Sequence, residues 1–222
     1  MEARRTKVIL CYGDSNTWGH DPSTGTRLER DERWPGVLQK ILGSDYYVIE
    51  EGLPGRTAIC DDPIENGRNG KTYLLPCLRS HRPIDLVIIM LGTNDLKKRF
   101  SLSAFDIAAG IGVLIDIVKG SNCGRGGRAP KILVLAPPPL RRPSELKKGL
   151  TEVDQFEETF GDGIEKSRKL SKYIERIAKE RGCEFFNTST IIQTSEVDGV
   201  HLDREAHLAL GRTVADIVKR II

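Results

Sequence analysis

The chain has 222 residues, of which 39% are hydrophobic and 29% are charged, with 34 Lys and Arg against 31 Asp and Glu. This composition predicts a globular protein with a core and excludes a disordered chain. The net charge of +3 is spread along the sequence, which argues against a nucleic-acid-binding surface. No apolar run approaches the ~20 residues of a membrane span. Since no signal-peptide pattern is present either, we predict a cytoplasmic protein.

The five cysteines form no C-x-x-C pair, and only four histidines occur. We therefore expect reduced, structural thiols. No H-E-x-x-H motif or cysteine cluster accompanies the histidines, so the sequence predicts neither a metal nor a cofactor.

Strand-like and helical segments alternate along the chain. The strand-like segments are residues 7–11, 46–50, 86–91, 132–136 and 184–186. Three of them are continuously apolar, which is typical of parallel strands buried on both faces. Helical apolar periodicity covers residues 34–43, 103–120, 170–182 and 203–220, with Ser103 and Asp203 as N-cap residues.

This alternation predicts an α/β fold: a three-layer α/β/α sandwich around a central parallel sheet of about five strands. We expect a single domain over residues 1–222. Residues 57–70, 121–130 and 137–163 are expected to be irregular. The charged stretch 141–160 is expected to be a solvated face, or a loop that packs on a neighbouring subunit.

Polar residues gather directly after the predicted strands. The motifs are GDSN at 13–16, GLPGRT at 52–57, GTND at 92–95 and DGVH at 198–201. Ordinary turns use the same residue types. However, ligands of open α/β sheets bind beyond the carboxyl ends of the strands, where all four motifs are expected to meet.

Together the motifs supply the parts of a serine hydrolase. Ser15 is the candidate nucleophile, His201 the base and Asp198 the carboxylate that orients the imidazole. The backbone N–H groups of Ser15 and Gly55 and the side-chain amide of Asn94 are candidates for an oxyanion hole. No G-x-S-x-G motif is present, which argues against an α/β-hydrolase nucleophile elbow.

Four neighbouring residues are assigned other roles. Trp18 and Asn16, next to the nucleophile, are candidates for the substrate pocket, although Trp18 can equally pack beneath the loop. For Asp14 and Asp95 we favour hydrogen bonds to loop amides over a second acid function.

Two further side chains are expected to support the structure. Arg56 is expected to anchor the loop that carries Gly55 by bonding carbonyl groups or a carboxylate. His207 is expected to be a packed histidine of the last helix.

The four motifs resemble those of the SGNH (GDSL-type) hydrolases, whose conserved blocks contribute Ser, Gly, Asn and His. Here the matching residues are Ser15, Gly55, Asn94 and His201 with Asp198, and Asn16 stands where the family name has Leu. The resemblance implies a flavodoxin-like SGNH hydrolase fold and a serine esterase mechanism.

Segments 11–19, 49–53, 61–63 and 88–95 are similar to the bacterial arylesterase/acyltransferase branch of that family. This similarity implies hydrolysis of short-chain acyl esters, such as aryl esters and acetylated carbohydrates, with acyl transfer to alcohols or peroxide as a further activity. It also implies a small-molecule ester substrate and a homo-oligomer, specifically an octamer. A long-chain lipase or thioesterase of the same fold, and a non-catalytic carbohydrate- or ester-binding module, remain the alternatives.

Overall fold

The structure is a computed structural model that describes residues 5–143 and 150–222, without the side chains of residues 150–153. The extreme N-terminus and part of the charged stretch 141–160 therefore lie outside the described residues. Within the described part, none of the helices is long and apolar enough to cross a membrane.

Five parallel strands form one sheet in the order β2-β1-β3-β4-β5. All five predicted strands are confirmed, with ends shifted by at most two residues. They are β1 (Lys7–Gly13), β2 (Tyr46–Gly52), β3 (Leu86–Met90), β4 (Lys131–Ala136) and β5 (Glu184–Asn187).

Seven α-helices lie within the described residues. Their bounds are α1 (Ser15–Trp18), α2 (Trp34–Leu42), α3 (Gly70–His81), α4 (Ala104–Gly120), α5 (Leu150–Phe160), α6 (Gly163–Glu180) and α7 (Arg204–Ile221). The predicted N-cap residues are confirmed: the side chain of Ser103 caps α4 and that of Asp203 caps α7. Each side chain accepts a hydrogen bond from an otherwise unpaired amide of the first turn.

Alternate residues of β1 pack on opposite faces of the sheet, as the pleat of a strand requires. Ile9 and Cys11 belong to a core beneath α2 and α7. Leu10 and Tyr12 belong to a second core, which includes residues of α3, α4 and α6. The expected three-layer α/β/α sandwich is therefore confirmed.

The prediction of an irregular segment over 137–163 is wrong in its second half. Residues Leu150–Phe160 form α5, whose Phe156 and Phe160 are only 6% and 7% exposed. The many charges of this segment hide the apolar pair, which lies four residues apart on one helix face. The N-terminal part of α6 was missed for the same reason.

Helix α3 was missed as well. Its apolar residues are confined to a short stretch in the middle, and Pro76 interrupts that stretch. A proline inside a helix removes one backbone hydrogen bond and is normally a sequence signal against a helix.

Helices α2 and α7 pack closely against each other, and a substitution at their contact can test this packing. A Cβ at Gly211 would lie 2.6 Å from Val37 Cβ and 2.9 Å from the Trp34 carbonyl oxygen. We expect Gly211→Ala to lower the free energy of unfolding by ~1–3 kcal/mol, because overpacking forces the helices apart. In the control Gly120→Ala, the new Cβ meets nothing within 4 Å. Equal stability of the two variants in urea unfolding would contradict the packing.

Buried His207 makes stability depend on pH. The side chain is fully buried, and its Nδ1 accepts a hydrogen bond from the Trp34 N–H at 3.3 Å. Burial, aided by the positive charges of His201 and Arg33, lowers the pKa of His207 to about 3. Below pH ~6.5 the unfolded chain therefore binds a proton that the folded chain does not accept until about pH 3, so stability is lost across this window.

We expect His207→Asn, which keeps an acceptor atom but does not titrate, to remove this loss. Relative to the variant, the unaltered chain should lose ~3 kcal/mol of unfolding free energy between pH 7 and pH 4. The buried carboxyl groups are common to both proteins and cancel in the comparison. Parallel pH profiles in urea unfolding would show that His207 does not carry the effect.

Candidate active site

Ser15 begins α1 directly after β1, at the carboxyl end of the sheet. Asp14 forms the N-cap of α1, and its carboxylate accepts a hydrogen bond from the Asn16 N–H at 2.9 Å. Burial raises the pKa of Asp14 to about 6 against the lowering effect of this bond. This contact is the loop-amide bond that the sequence predicts for Asp14, and it leaves the neighbouring Ser15 side chain directed to the site.

His201 and Asp198 lie on the loop before α7. Asp198 Oδ1 accepts hydrogen bonds from the backbone N–H groups of Val200 and His201 at 2.9 and 3.0 Å. Gly199 between them has φ +72°, and a Cβ there would lie 1.7 Å from the Arg141 carbonyl oxygen. The tight turn that presents both side chains therefore requires glycine.

The three side chains form a continuous hydrogen-bonded relay. His201 Nδ1 lies 2.5 Å from Asp198 Oδ2, and His201 Nε2 lies 2.9 Å from Ser15 Oγ. Burial alone would raise the pKa of Asp198, but the hydrogen bond and charge of His201, with the two backbone N–H groups, lower it to about 2. The ionised carboxylate accepts from Nδ1–H, so Nε2 is left as the acceptor for the serine proton.

Three hydrogen-bond donors converge beside Ser15. Within the described part of the chain, the backbone N–H groups of Ser15 and Gly55 have no protein acceptor. Asn94 follows β3 and donates one amide hydrogen to the Arg56 carbonyl oxygen at 3.1 Å, which leaves its second hydrogen available. Ser15, Gly55 and Asn94 all line one pocket. This is the arrangement that an oxyanion hole needs.

Arg56 fixes the loop that carries Gly55, as expected from the sequence. Its side chain is buried, and Nη1 donates to the carbonyl oxygen of Gly13 at 2.8 Å and to that of Glu51. The guanidinium stacks over the Tyr12 ring, 4.2 Å from its centroid. A rigid guanidinium with several donors suits such a role better than a lysine would.

Asp95 fixes the next stretch of the same loop. Its two carboxylate oxygens accept from the Ala58 N–H at 3.0 and 3.1 Å. Burial raises the pKa of Asp95 to about 7. The hydrogen bonds to Ala58 N–H are the loop-amide contact that the sequence predicts for Asp95.

The pocket above Ser15 has a volume of about 410 Å³. His20 lines it, with its ring centroid 4.1 Å from that of His201. The remaining wall contains both apolar and charged side chains; it comprises Pro54, Glu65, Lys97, Pro143, Gln155, Phe156, Thr159, Phe160 and Val200.

The structure does not place Asn16 or Trp18 among the pocket-lining residues. Asn16 is buried, and its side chain accepts from the Leu202 N–H at 2.9 Å and donates to the Val200 carbonyl oxygen. It therefore joins the nucleophile turn to the histidine loop, because the second residue of α1 faces inward. Trp18 is half-buried beneath the Arg27 guanidinium, 5.1 Å from the ring centroid.

Sequence reasoning missed the walls that α5 and the residues after β3 contribute. Phe156, Phe160 and Lys97 reach the pocket through tertiary packing, and no local motif marks them. The apolar pair on α5 was the available signal, but the surrounding charges obscured it.

His20, Asp198 and His201 carry donor atoms within 4.8 Å of one another. Both nitrogens of His201 are engaged by Asp198 and Ser15. Coordination of a metal would break one of these bonds, so the relay and a metal exclude each other here.

Comparisons with known proteins identify the family of the chain. The model of the GDSL-like Lipase/Acylhydrolase family matches residues 11–209. No curated protein matches the chain in sequence.

Solved structures similar to the chain include a Mycobacterium smegmatis aryl esterase and a carbohydrate acetylesterase from Sinorhizobium meliloti. The first is 41% identical with a TM-score of 0.89, and the second is 42% identical with a TM-score of 0.90; each comparison covers 98% of this chain and 100% of the other. A lipolytic G-D-S-L protein from Veillonella parvula, at 13% identity and a TM-score of 0.67, covers 97% of this chain and 100% of the other; it shares the fold alone.

The family match spans every motif that contributes to the relay and to the cluster of donors, and the solved relatives align over the whole sandwich. The chain therefore belongs to the GDSL-like lipase/acylhydrolase family, with the SGNH hydrolase fold, and is a carboxylic ester hydrolase.

Proposed function

We propose that the chain hydrolyses short-chain acyl esters, aryl esters and acetylated carbohydrates among them, through an acyl intermediate on Ser15. One observation carries the proposal: Ser15 Oγ lies 2.9 Å from His201 Nε2 on the floor of the pocket. A serine hydroxyl becomes an effective nucleophile when such a base takes its proton.

In the acylation step, His201 Nε2 accepts the Ser15 proton as Oγ attacks the ester carbonyl carbon. The carbonyl electrons move to oxygen, and the resulting oxyanion accepts hydrogen bonds from Ser15 N–H, Gly55 N–H and Asn94 Nδ2–H. His201 then gives its proton to the leaving alcohol as the ester bond breaks. Asp198 stabilises the imidazolium without itself taking the proton.

Deacylation repeats the same steps with water as the nucleophile. His201 takes a proton from water, the hydroxyl oxygen attacks the acyl carbon, and Ser15 leaves with the proton that His201 returns. An alcohol or peroxide in place of water would receive the acyl group, so the acyl transfer that the resemblance implies needs no additional residue. The homo-oligomer and the cytoplasmic location stay predictions.

The pocket walls support a short acyl group. Phe156 and Phe160 are packed into the core and line the pocket, so two buried aromatic rings form part of its wall. The aryl esterase and carbohydrate acetylesterase relatives support the same substrate class. A mixed wall that includes Glu65 and Lys97 suits a polar alcohol moiety better than a lipid chain.

Ser15→Ala should lower the turnover of p-nitrophenyl acetate by at least ~10³-fold, because the nucleophile is lost. Far-UV circular dichroism should be unchanged. Acid-quenched wild type should carry an acetyl adduct on Ser15 in mass spectrometry, and the variant should carry none. Ser189→Ala, at an exposed serine of a short 3₁₀ turn, is the matched control. Undiminished turnover in Ser15→Ala would disprove the mechanism.

Across a p-nitrophenyl ester series, kcat/KM should fall from acetate to octanoate by at least ~10-fold, since the phenylalanine wall limits chain length. Phe160→Leu should raise the octanoate-to-acetate ratio. Phe105→Leu, at an exposed ring on α4, should leave the ratio unchanged. A maximum at long chains would favour a lipase or thioesterase, and binding without turnover or adduct would favour the binding module.

A further inference from the structure

Outside the catalytic relay, a second group of side chains places metal-binding atoms together. Within the described residues, Glu51, Cys77 and His81 offer a carboxylate oxygen, a thiol sulfur and an imidazole nitrogen that all lie within 4.8 Å of one another. His81 Nε2 is 3.0 Å from Glu51 Oε1. The proposed esterase mechanism uses none of the three side chains.

The local structure explains why these side chains meet. Cys77 and His81 are four residues apart on α3 and therefore share one face of the helix. Glu51 lies near the carboxyl end of β2, beside that face. Cys77 is buried at 1% exposure, whereas the side chains of His81 and Glu51 are 32% and 19% exposed. A small cation can therefore approach from the His81 side.

We propose that Glu51, Cys77 and His81 form a Zn²⁺ site with three protein ligands and water as the fourth. Sulfur, imidazole nitrogen and carboxylate oxygen are the donors that Zn²⁺ prefers. In a tetrahedral zinc site the donor atoms are roughly 3.2–3.8 Å apart, as follows from bond lengths of ~2.0–2.3 Å. Small side-chain movements would bring the present arrangement to that geometry.

The charge balance favours a divalent ion at this half-buried position. One thiolate and one carboxylate neutralise Zn²⁺, so the loaded site carries no net charge. Arg56 is the cation nearby, and its guanidinium is already engaged by the carbonyl oxygens of Gly13 and Glu51. It therefore does not take the Glu51 carboxylate from the metal.

Binding must displace one proton. Burial, together with the negative charge of Glu51, raises the pKa of Cys77 to about 12, so the free thiol is protonated. Zn²⁺ takes the place of that proton: the S–H bond breaks, an S–Zn bond forms, and H⁺ leaves to solvent with no change in oxidation state. Affinity should accordingly fall as the pH is lowered.

The test uses Co²⁺ as a spectroscopic substitute for Zn²⁺ in the full chain, after reduction and removal of metals with a chelator. We expect saturation at one equivalent, with a thiolate-to-cobalt charge-transfer band in the near ultraviolet and the visible bands of tetrahedral cobalt. One equivalent of Zn²⁺ should abolish both. No thiolate band at millimolar Co²⁺ would overturn the proposal.

Four variants locate the site. Cys77→Ser and His81→Gln should lose the thiolate band, whereas Cys183→Ser, at a partly exposed thiol outside the group, should keep it. His20→Gln should also keep it, because the histidine cluster at the catalytic relay contains no sulfur donor. Circular dichroism confirms folding of each variant. A band that persists in Cys77→Ser would refute the assignment, whatever the result for ester turnover.

Discussion

The buried guanidinium of Arg56 joins the loops that make this active site. Nη1 bonds the Gly13 carbonyl at the end of β1 and the Glu51 carbonyl in β2, and the Arg56 carbonyl accepts from Asn94 beyond β3. Three strand ends are thereby held at fixed separations by one residue. Because Ser15, the Gly55 amide and the Asn94 amide follow those strand ends, their mutual geometry depends on this anchor.

The buried carboxyl groups near the relay differ in pKa because their partners differ. Asp14 and Asp95 accept only from nearby amides, and burial raises their pKa values to about 6 and 7. Asp198 faces the imidazole of His201, and its pKa is lowered to about 2. Of these three carboxyl groups, Asp198 is the one whose pKa is lowered, and it is the one that accepts from His201 Nδ1. The three residues are all aspartates, so their different pKa values follow from their contacts and not from the residue type.

The site occupies the place where an open α/β sheet normally binds its ligand. In the order β2-β1-β3-β4-β5 the chain reverses its direction of winding between β1 and β3, and the crevice at that point lies outside the strand ends. Ser15 follows β1 and Asn94 follows β3, so they face each other across it. The loop before α7 adds Asp198 and His201 from above, and α5 closes one side with Phe156 and Phe160.

The sequence by itself determined the five strands, the order of the layers and the residues of the relay. Three short continuously apolar runs, separated by helical patterns, are typical of buried parallel strands, and parallel connections bring all carboxyl ends to one edge. Ser15, Asn94 and His201 were therefore predictable as neighbours from motifs that lie up to 186 residues apart. Arg56 was predictable as an anchor because a guanidinium next to the turn at Gly55 can donate to several acceptors at once.

Only the tertiary structure decided the walls of the pocket and the group at Glu51, Cys77 and His81. Helix α3 carries an internal proline and α5 carries many charges, so neither has a clear helical periodicity in the sequence. Tertiary packing stabilises both helices. Tertiary contacts also decide the role of Asn16, which joins two loops and does not line the pocket. Local sequence encodes the elements and their ends, whereas the side chains that meet between elements are selected by packing, which acts between residues distant in sequence.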